Sequence, residues 1–225
     1  ELIREDTQAV VLDRVAYVNS FATSAKKAGA AYLLGERVTD IVFCGDYVKV
    51  SIGSQSSPRA LTTRAVVVAS GFGTPLAKRF GQHKAVDYTT GIQAEVMAPA
   101  VDQIQAYFGK EVAPGFFAWI VPTRENRALI GLLARRGANA YMEYFMNRLQ
   151  EQGIVTDIVT KPKQWGIPLE PLSCTFADRM VLVGDAAGQV KPTTGGGIYY
   201  SLLAGELAAD TIHKAFMQGD LSASF

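Results

Sequence analysis

A glycine-rich segment near the carboxyl end of the chain contains the residue types needed to bind a polar, planar ligand. The strand-like run 181–183 leads directly to Gly184 and Asp185, and the glycines 195–197 precede a helical pattern. A carboxylate at the end of a buried strand accepts hydrogen bonds from hydroxyl groups. Glycines let a flat molecule lie against the backbone, and free amides at a helix N-terminus favour negative charge. The segment is therefore a candidate site for a hydroxylated, anionic and partly planar ligand.

A flavin is a ligand of this description. Its ribityl phosphate part is hydroxylated and anionic, and its reduced ring carries charge near N1 and the C2 carbonyl. The alternative is an ordinary strand, turn and helix in which the glycines serve only tight packing. The length of the string, from Val181 to Gly205, favours the flavin.

The first and last thirds of the chain contain the elements that must position this segment. The β-branched run Arg64–Ala69 predicts a parallel strand buried on both faces, and Met180–Val183 predicts a second one. Other predicted elements here are strands at Ala9–Leu12, Ala30–Leu34, Val38–Phe43 and Tyr47–Ile52 and helices at Tyr17–Ala28 and Gly197–Gln218. The turn Cys44-Gly45-Asp46 should join the third and fourth strands as a hairpin.

The middle of the chain has a different pattern. Between Val86 and Val96 the apolar residues Val86, Tyr88, Ile92, Ala94 and Val96 alternate with the polar residues Asp87, Thr89, Gln93 and Glu95. This period of two predicts a strand with one wet face. Strand-like runs follow at Ile104–Phe108, Phe116–Val121 and Ala128–Leu133, then a helix at Ala140–Gln152 and a loop-like stretch at Lys161–Pro171. We expect an antiparallel sheet with the helix packed on it.

Composition and charge limit the classes of function. The 225 residues are 48% hydrophobic and 19% charged, which is typical of a chain with a large core. The formal net charge of +1, without a basic run, argues against nucleic acid as a partner. Cys44, Cys174, His83 and His213 have no metal-ligand spacing, so we expect reduced thiols and no metal site.

The glycine-rich segment resembles the C-terminal flavin motif of the geranylgeranyl reductase family, within the para-hydroxybenzoate-hydroxylase-like flavoproteins. The matching residues are Gly184, Asp185, Ala186, Ala187, Gly188, Pro192, Gly195, Gly197, Ile198, Ser201 and Gly205. The resemblance implies FAD as the cofactor. It places Gly184, Asp185, Pro192, Gly195, Gly196, Gly197 and Ile198 against it.

Two earlier segments extend the resemblance. Asp13-Arg14 is similar to the family's strand-Asp-Arg segment, in which the Arg contacts FAD, although Ala16 and Tyr17 stand where Phe-Asp is more usual. The string from Val66 to Gly71 resembles the strand that ends beside the dinucleotide, which implies cofactor contacts for Ala69 and Gly71. Thr74-Pro75 is typical of a helix N-cap followed by proline.

A segment in the middle domain is similar to the Pro-x-x-Tyr-x-Trp-x-Phe-Pro signature of the same family. It runs from Pro114 to Pro122, with Phe117 for Tyr and Val121 for Phe. On a strand, Phe117, Trp119 and Val121 project from one face and can line a long apolar substrate, although such residues can also be ordinary sheet core. Gly131 also has a family counterpart, whereas Leu133 replaces a common second glycine.

The resemblance implies an α/β fold with an α+β insertion. An incomplete Rossmann-like FAD/NAD(P)-binding domain would comprise residues 1–80 and 171–225, and an antiparallel-sheet substrate domain would comprise residues 81–170. The family's opening Gly-x-Gly-x-x-Gly unit, which holds the FAD pyrophosphate, is not in the sequence. We expect the chain to be an internal piece of a longer protein, and expect it to be colourless and inactive by itself.

The implied activity is FAD-dependent reduction of carbon–carbon double bonds in a prenyl or other hydrophobic substrate. A flavin monooxygenase or halogenase of the same fold and a lipid-binding module without flavin remain alternatives. No catalytic residue is identified, and the electron donor is left open among NADPH, NADH and ferredoxin, as is the oligomeric state. We expect a cytoplasmic protein, with peripheral membrane contact through the substrate as an open alternative.

Overall fold

The computed structural model describes residues 10–54, 57–73 and 87–225. Contacts divide the chain into a first unit, Glu1–Gly35 with Ile92–Gln164, and a second unit, Glu36–Gly91 with Trp165–Phe225. The helices are α1 (Arg14–Lys27), α2 (Ala138–Glu151) and α3 (Ile198–Gln218). The strands are β1 (Val38–Cys44), β2 (Tyr47–Ser54), β3 (Ser57–Thr63), β4 (Val66–Val68), β5 (Tyr88–Met97), β6 (Gln105–Phe108), β7 (Phe117–Pro122), β8 (Arg127–Ala134), β9 (Asp157–Ile158), β10 (Lys163–Pro168), β11 (Phe176–Ala177) and β12 (Met180–Leu182).

The middle of the chain forms the predicted antiparallel sheet. Its strand order is β10-β5-β8-β7-β6, and β9 pairs with β5. Helix α2 packs on it with a face that includes Met142, Phe145 and Leu149, which are at most 1% exposed. Each such side chain contributes roughly 1.5–3 kcal/mol by leaving water. The predicted helix and its apolar face are confirmed.

The alternation predicted along β5 is correct only in its second half. Ile92, Ala94 and Val96 are buried, but Tyr88 is 52% exposed and Thr89 is fully buried, the reverse of the prediction. Side chains of the neighbouring strand β10, Trp165 and Ile167, lie over Gly91 on the face of β5 that was predicted to be wet. Val86 lies outside the described residues.

The stretch Lys161–Pro171, predicted as a loop, contains strand β10. The prolines of this stretch were the reason for predicting a loop. Pro168, however, is the last residue of β10, and β10 is an outer strand of the sheet, where a missing amide donor is tolerated. The Leu169 amide donates to the carbonyl of Asp87, the residue immediately before β5, at 2.8 Å. Pairing with a distant partner therefore forms a strand that local pattern does not indicate.

The second unit contains the predicted hairpin and parallel strands. β1 and β2 pair around the turn at Gly45, which has a φ of +68°, and β3, which was not predicted, pairs with β2. β12 pairs with β4 in parallel. Val68 is 4% exposed, but Val67 is 48% exposed, so the prediction of a strand buried on both faces is wrong. Successive side chains of a strand alternate between its two faces, and of the described residues of α3 only Ala208 and Ala215 are buried.

Near the amino end, the strands predicted at Ala9–Leu12 and Ala30–Leu34 are not formed in the part of the chain that is described, from Val10 onwards. Helix α1 between them is confirmed. None of its residues is buried, so α1 does not pack over these short apolar runs.

Arg179 joins several segments of the second unit. Its Nε donates to the Gly45 carbonyl at 2.8 Å and its Nη1 to the Arg64 carbonyl at 3.1 Å. Its backbone amide donates to the Leu221 carbonyl at 2.7 Å, and its carbonyl accepts from the Val66 amide at 2.9 Å. The side chain thus connects the turn of the β1–β2 hairpin to the sheet that contains β4 and β12.

Candidate functional site

The parallel strands β4 and β12 end side by side. Leu182 pairs with Val68, and the Val183 amide donates to the Val68 carbonyl at 3.0 Å. The chain after β4, with Ala69 and Gly71, and the chain after β12, with Gly184 and Asp185, therefore leave the same edge of the sheet. Such an edge is where open α/β sheets bind ligands.

Residues Gly184–Ala187 form a tight 3-10 turn at this edge. The Gly184 amide donates to the Gln189 side-chain oxygen at 2.7 Å, and the Gln189 amide donates to the Gly184 carbonyl at 3.1 Å. At Gly188 a Cβ would collide with the Glu170 carbonyl and lie 2.8 Å from the Pro171 Cα. Glycine at 188 is thus required by close packing. The role of Gln189 was missed, and its only signal is its position directly after the Gly-Asp-Ala-Ala-Gly string.

Asp185 faces the beginning of helix α3. A Cβ on Gly197 would lie 2.8 Å from Oδ1 of Asp185 and 3.3 Å from Cγ1 of Val190. The two halves of the motif, separated by a loop in sequence, are therefore in contact. The N-cap residue of this 21-residue helix is Gly197, which has no side chain that could cap the first amides. Its first amides and its partial positive charge are suited to an anionic ligand.

The loop between the 3-10 turn and α3 is closed by backbone hydrogen bonds. The Lys191 amide donates to the Gly196 carbonyl at 3.1 Å, and the Gly195 amide donates to the Lys191 carbonyl at 2.8 Å. Pro192 is exposed on this loop, and Ile198 is 52% exposed at the start of the helix. The structure thus brings together the predicted residues Gly184, Asp185, Pro192, Gly195, Gly196, Gly197 and Ile198.

This arrangement fits a flavin nucleotide. Glycines 195–197 place no side chain between the backbone and a planar ligand, and the N-terminus of α3 suits negative charge. Asp185 can accept from ribityl hydroxyls. Among the described residues, no heavy atom lies within 4 Å of a Cβ built on Gly71 in the loop after β4.

Arg14 belongs to the first unit, so its place beside the cofactor stays a prediction. It is the first residue of α1 and is exposed. The preceding Asp13 caps the helix, because its Oδ1 accepts from the amides of Val15 and Ala16, each at 3.0 Å. The hydrogen bond from Ala16 is the largest cause that lowers the pKa of Asp13 below its ordinary value; desolvation opposes it, and the hydrogen bond from Val15 and the charge of Arg124 lower the pKa further.

The predicted substrate residues lie on β7 in the first unit. Ala118 and Ile120 are fully buried on the α2 side, whereas Phe117, Trp119 and Val121 are half-buried on the other face. The rings of Phe117 and Trp119 have centroids 5.8 Å apart, and Phe108 on β6 is 6.1 Å from Phe117. The predicted shared face is therefore observed as a row of aromatic rings.

Some predictions find no test in the structure. Thr74-Pro75 and His83 lie outside the described residues. Within the described ranges no cluster of three or more His, Cys, Asp or Glu side chains could hold a metal ion. No helix of those ranges is both long enough and apolar enough to cross a membrane.

Together, the parallel strands, the glycine-rich turn and the helix N-terminus define a nucleotide-binding edge of the flavoprotein type. A family model described as FAD dependent oxidoreductase matches residues 3–210. The chain belongs to this family, and FAD, the cofactor predicted from the motif, is the cofactor of the family.

Named relatives agree with the resemblance. The chain is 29% identical to a digeranylgeranylglycerophospholipid reductase of Methanocaldococcus jannaschii, over 97% of this chain and 59% of that protein. It is 30% identical to digeranylgeranylglycerophospholipid reductase 2 of Methanothermobacter thermautotrophicus, over 93% and 57%. The chain therefore spans somewhat more than half the length of these curated relatives.

Solved structures confirm the predicted fold class. A geranylgeranyl bacteriochlorophyll reductase-like protein of Thermoplasma acidophilum superposes with a TM-score of 0.85 at 22% identity, over 98% of this chain and 59% of that one. The flavin-dependent halogenase CmlS gives a TM-score of 0.75 at 17% identity, over 94% and 42%. At these identities the likeness is one of fold.

Proposed function

We propose that the whole protein is an FAD-dependent reductase of carbon–carbon double bonds in a prenyl lipid. The observation that carries the proposal is the row of rings formed by Phe108, Phe117 and Trp119 on the sheet face opposite α2. An ordinary core would bury such rings, yet Phe108 is 74% exposed and the other two are half-buried. The reductase names of the curated relatives support the same substrate class.

The residues of this chain would have separate tasks in that reaction. FAD, when bound, supplies hydride transfer. Asp185 would accept hydrogen bonds from the ribityl chain, and the amides that begin α3 would face negative charge. Phe117 and Trp119 would hold the apolar substrate and exclude water from it. Arg14, Ala69 and Gly71 are proposed as further cofactor contacts.

The direct test is product analysis with the whole protein. The enzyme, its flavin reduced by dithionite, is incubated anaerobically with geranylgeraniol, and the products are analysed by mass spectrometry. We expect saturation of one or more double bonds. Recovery of unchanged geranylgeraniol, together with unchanged archaeal-type prenyl glycerolipid in a parallel reaction, would contradict the proposal.

The variant Trp119→Ala separates a substrate role from a packing role. Turnover of geranylgeraniol should fall far more than flavin occupancy, because the indole lies in the sheet rather than at the glycine-rich turn. Equal losses of turnover and flavin would mean that Trp119 only supports the fold.

The monooxygenase and halogenase alternative predicts a different stoichiometry. Such an enzyme consumes oxygen with each substrate turnover, whereas a reductase does not require it. The likeness to CmlS is one of fold and does not favour halogenation. An oxygen electrode with substrate and reduced nicotinamide present distinguishes the two reactions.

Peripheral contact with a membrane belongs to the same proposal. A substrate held in a bilayer has to reach the aromatic row, and the exposed ring of Phe108 at the end strand β6 would favour an apolar surface. We expect the whole protein to float with prenyl-lipid vesicles and the variant Phe108→Ser not to do so.

A further inference from the structure

Trp165, on strand β10, lies against the backbone of the neighbouring strand β5. A Cβ built on Gly91 would be 2.8 Å from Cε2 and 3.0 Å from Cζ2 of the indole, and 3.0 Å from Cδ1 of Ile167. Because real Cβ atoms essentially never approach another heavy atom to 2.8 Å, a side chain at position 91 would have to displace the indole. Glycine at position 91 therefore provides the space that the indole occupies.

The indole is fixed on one side and open on the other. Trp165 is 41% exposed, although Gly91 beneath it is buried and Ile167 is 5% exposed. An aromatic ring held in place by a backbone surface loses little further conformational entropy when a ligand covers it. Trp165 thus presents a preorganised apolar surface.

The strand that carries Trp165 is also packed against the loop that leaves the cofactor edge. The ring of Phe72 occupies the position where a Cβ on Gly166 would be, and its centroid is 5.5 Å from that of Tyr88. Phe72 directly follows Gly71, one of the proposed cofactor contacts. Because neighbouring residues of a strand point to opposite faces, Phe72 and Trp165 lie on opposite sides of β10. Only the thickness of one strand separates the indole from this loop.

We infer that Trp165 is a substrate-contacting residue that binds an isoprene segment of a long prenyl chain on β10, next to the loop with Gly71. The inference rests on the proposed function and adds a residue that neither the flavin motif nor the aromatic signature contains. A longer prenyl chain covers more apolar surface when it binds, so the loss of the indole should weaken the binding of a long chain more than that of a short one.

The test is a binding titration of the whole protein in which tryptophan fluorescence reports the binding. Geranylgeraniol is the long probe and geraniol is the short one, and the variants are Trp165→Phe and Trp165→Ala. Tyr144→Ala is the matched control, since Tyr144 is a similarly exposed aromatic, 46%, on helix α2. Flavin absorbance of each variant verifies that the cofactor edge is intact.

We expect Trp165→Ala to bind geranylgeraniol about tenfold more weakly, with a smaller effect on geraniol, and Tyr144→Ala to bind both normally. In Trp165→Phe the ligand-induced fluorescence change should be reduced, because the reporting indole is gone. If the parent responds to geranylgeraniol and both Trp165 variants keep its full affinity and signal, the inference is wrong. A parent that does not bind the probe would instead overturn the proposed function together with the inference.

Discussion

The indole of Trp119 lies directly over Gly131 on the neighbouring strand β8. The two residues are paired across β7 and β8, and a Cβ at Gly131 would be 2.7 Å from Cε2 of the indole and 2.6 Å from the Ile92 carbonyl oxygen. The glycine therefore sets the height of the ring above the sheet. This contact is a physical reason for glycine at position 131, where the resembling family also has glycine, because a larger residue would displace the aromatic row.

Gly131→Ala should destabilise the protein by about 1–3 kcal/mol, because the methyl group can be accommodated only by moving the indole or the backbone. Urea unfolding monitored by circular dichroism measures the loss. Gly205→Ala is the control: outside the helix's own backbone, no heavy atom of the described residues lies within 4 Å of its added Cβ, and the helix interior should gain up to about 1 kcal/mol. A neutral Gly131→Ala would show that the sheet relaxes around the methyl group.

Thr89→Val should stabilise the protein by about 1 kcal/mol. The Thr89 side chain is fully buried and its hydroxyl has no hydrogen-bond partner among the described residues. Valine has nearly the same shape and removes the desolvated hydroxyl. Thr160→Val should do the opposite, since its hydroxyl accepts from the Glu95 amide at 2.9 Å. Thermal unfolding of both variants gives the signs, and a destabilised Thr89→Val would indicate a hydrogen bond formed by a bound water.

Asp185→Ala should weaken FAD retention in the whole protein, since it removes a charged hydrogen bond worth about 1.5–3 kcal/mol. Flavin absorbance after dialysis reports the loss. Asp178→Ala is a control in the same unit: this carboxylate accepts from the Ala223 amide at 2.6 Å and precedes β12, whereas the glycine-rich turn follows that strand. Full flavin occupancy in Asp185→Ala would remove this carboxylate from the cofactor site.

The start of helix α1 should respond to acid. Because amide hydrogen bonds lower the pKa of Asp13 below its ordinary 3.8, ionised Asp13 stabilises the helix. This contribution is complete above 3.8 and is lost as the pH falls through the lower pKa of the folded state. The amide signals of Val15 and Ala16 in NMR spectra should titrate in this range. Asp13→Asn keeps a capping side chain and should abolish that titration; persistence of the titration would assign it to another group.

Local sequence was sufficient for the elements whose cause is local. The hairpin at Gly45, helix α2 and the string from Gly184 to Ile198 follow from turn chemistry, helical period and glycine spacing. Strand β10 was missed because it depends on β5, and the Leu169 amide has to find the Asp87 carbonyl far away in sequence. The contact between Trp165 and Gly91 was missed for the same reason, because the need for glycine at 91 is recognisable only when the position of the indole is known.

Arg179 has a consequence for the order of folding. The carbonyls that its guanidinium reaches, those of Gly45 and Arg64, are 134 and 115 residues away along the chain. Contacts between residues so far apart in sequence require the entropically costly closure of a very large loop before they contribute any stabilising free energy. The β1–β2 hairpin, in contrast, can close around its own turn. The hairpin should therefore form early in folding, and its hydrogen bond to Arg179 should form late. Loss of Arg179 would then accelerate unfolding while leaving the rate of folding nearly unchanged.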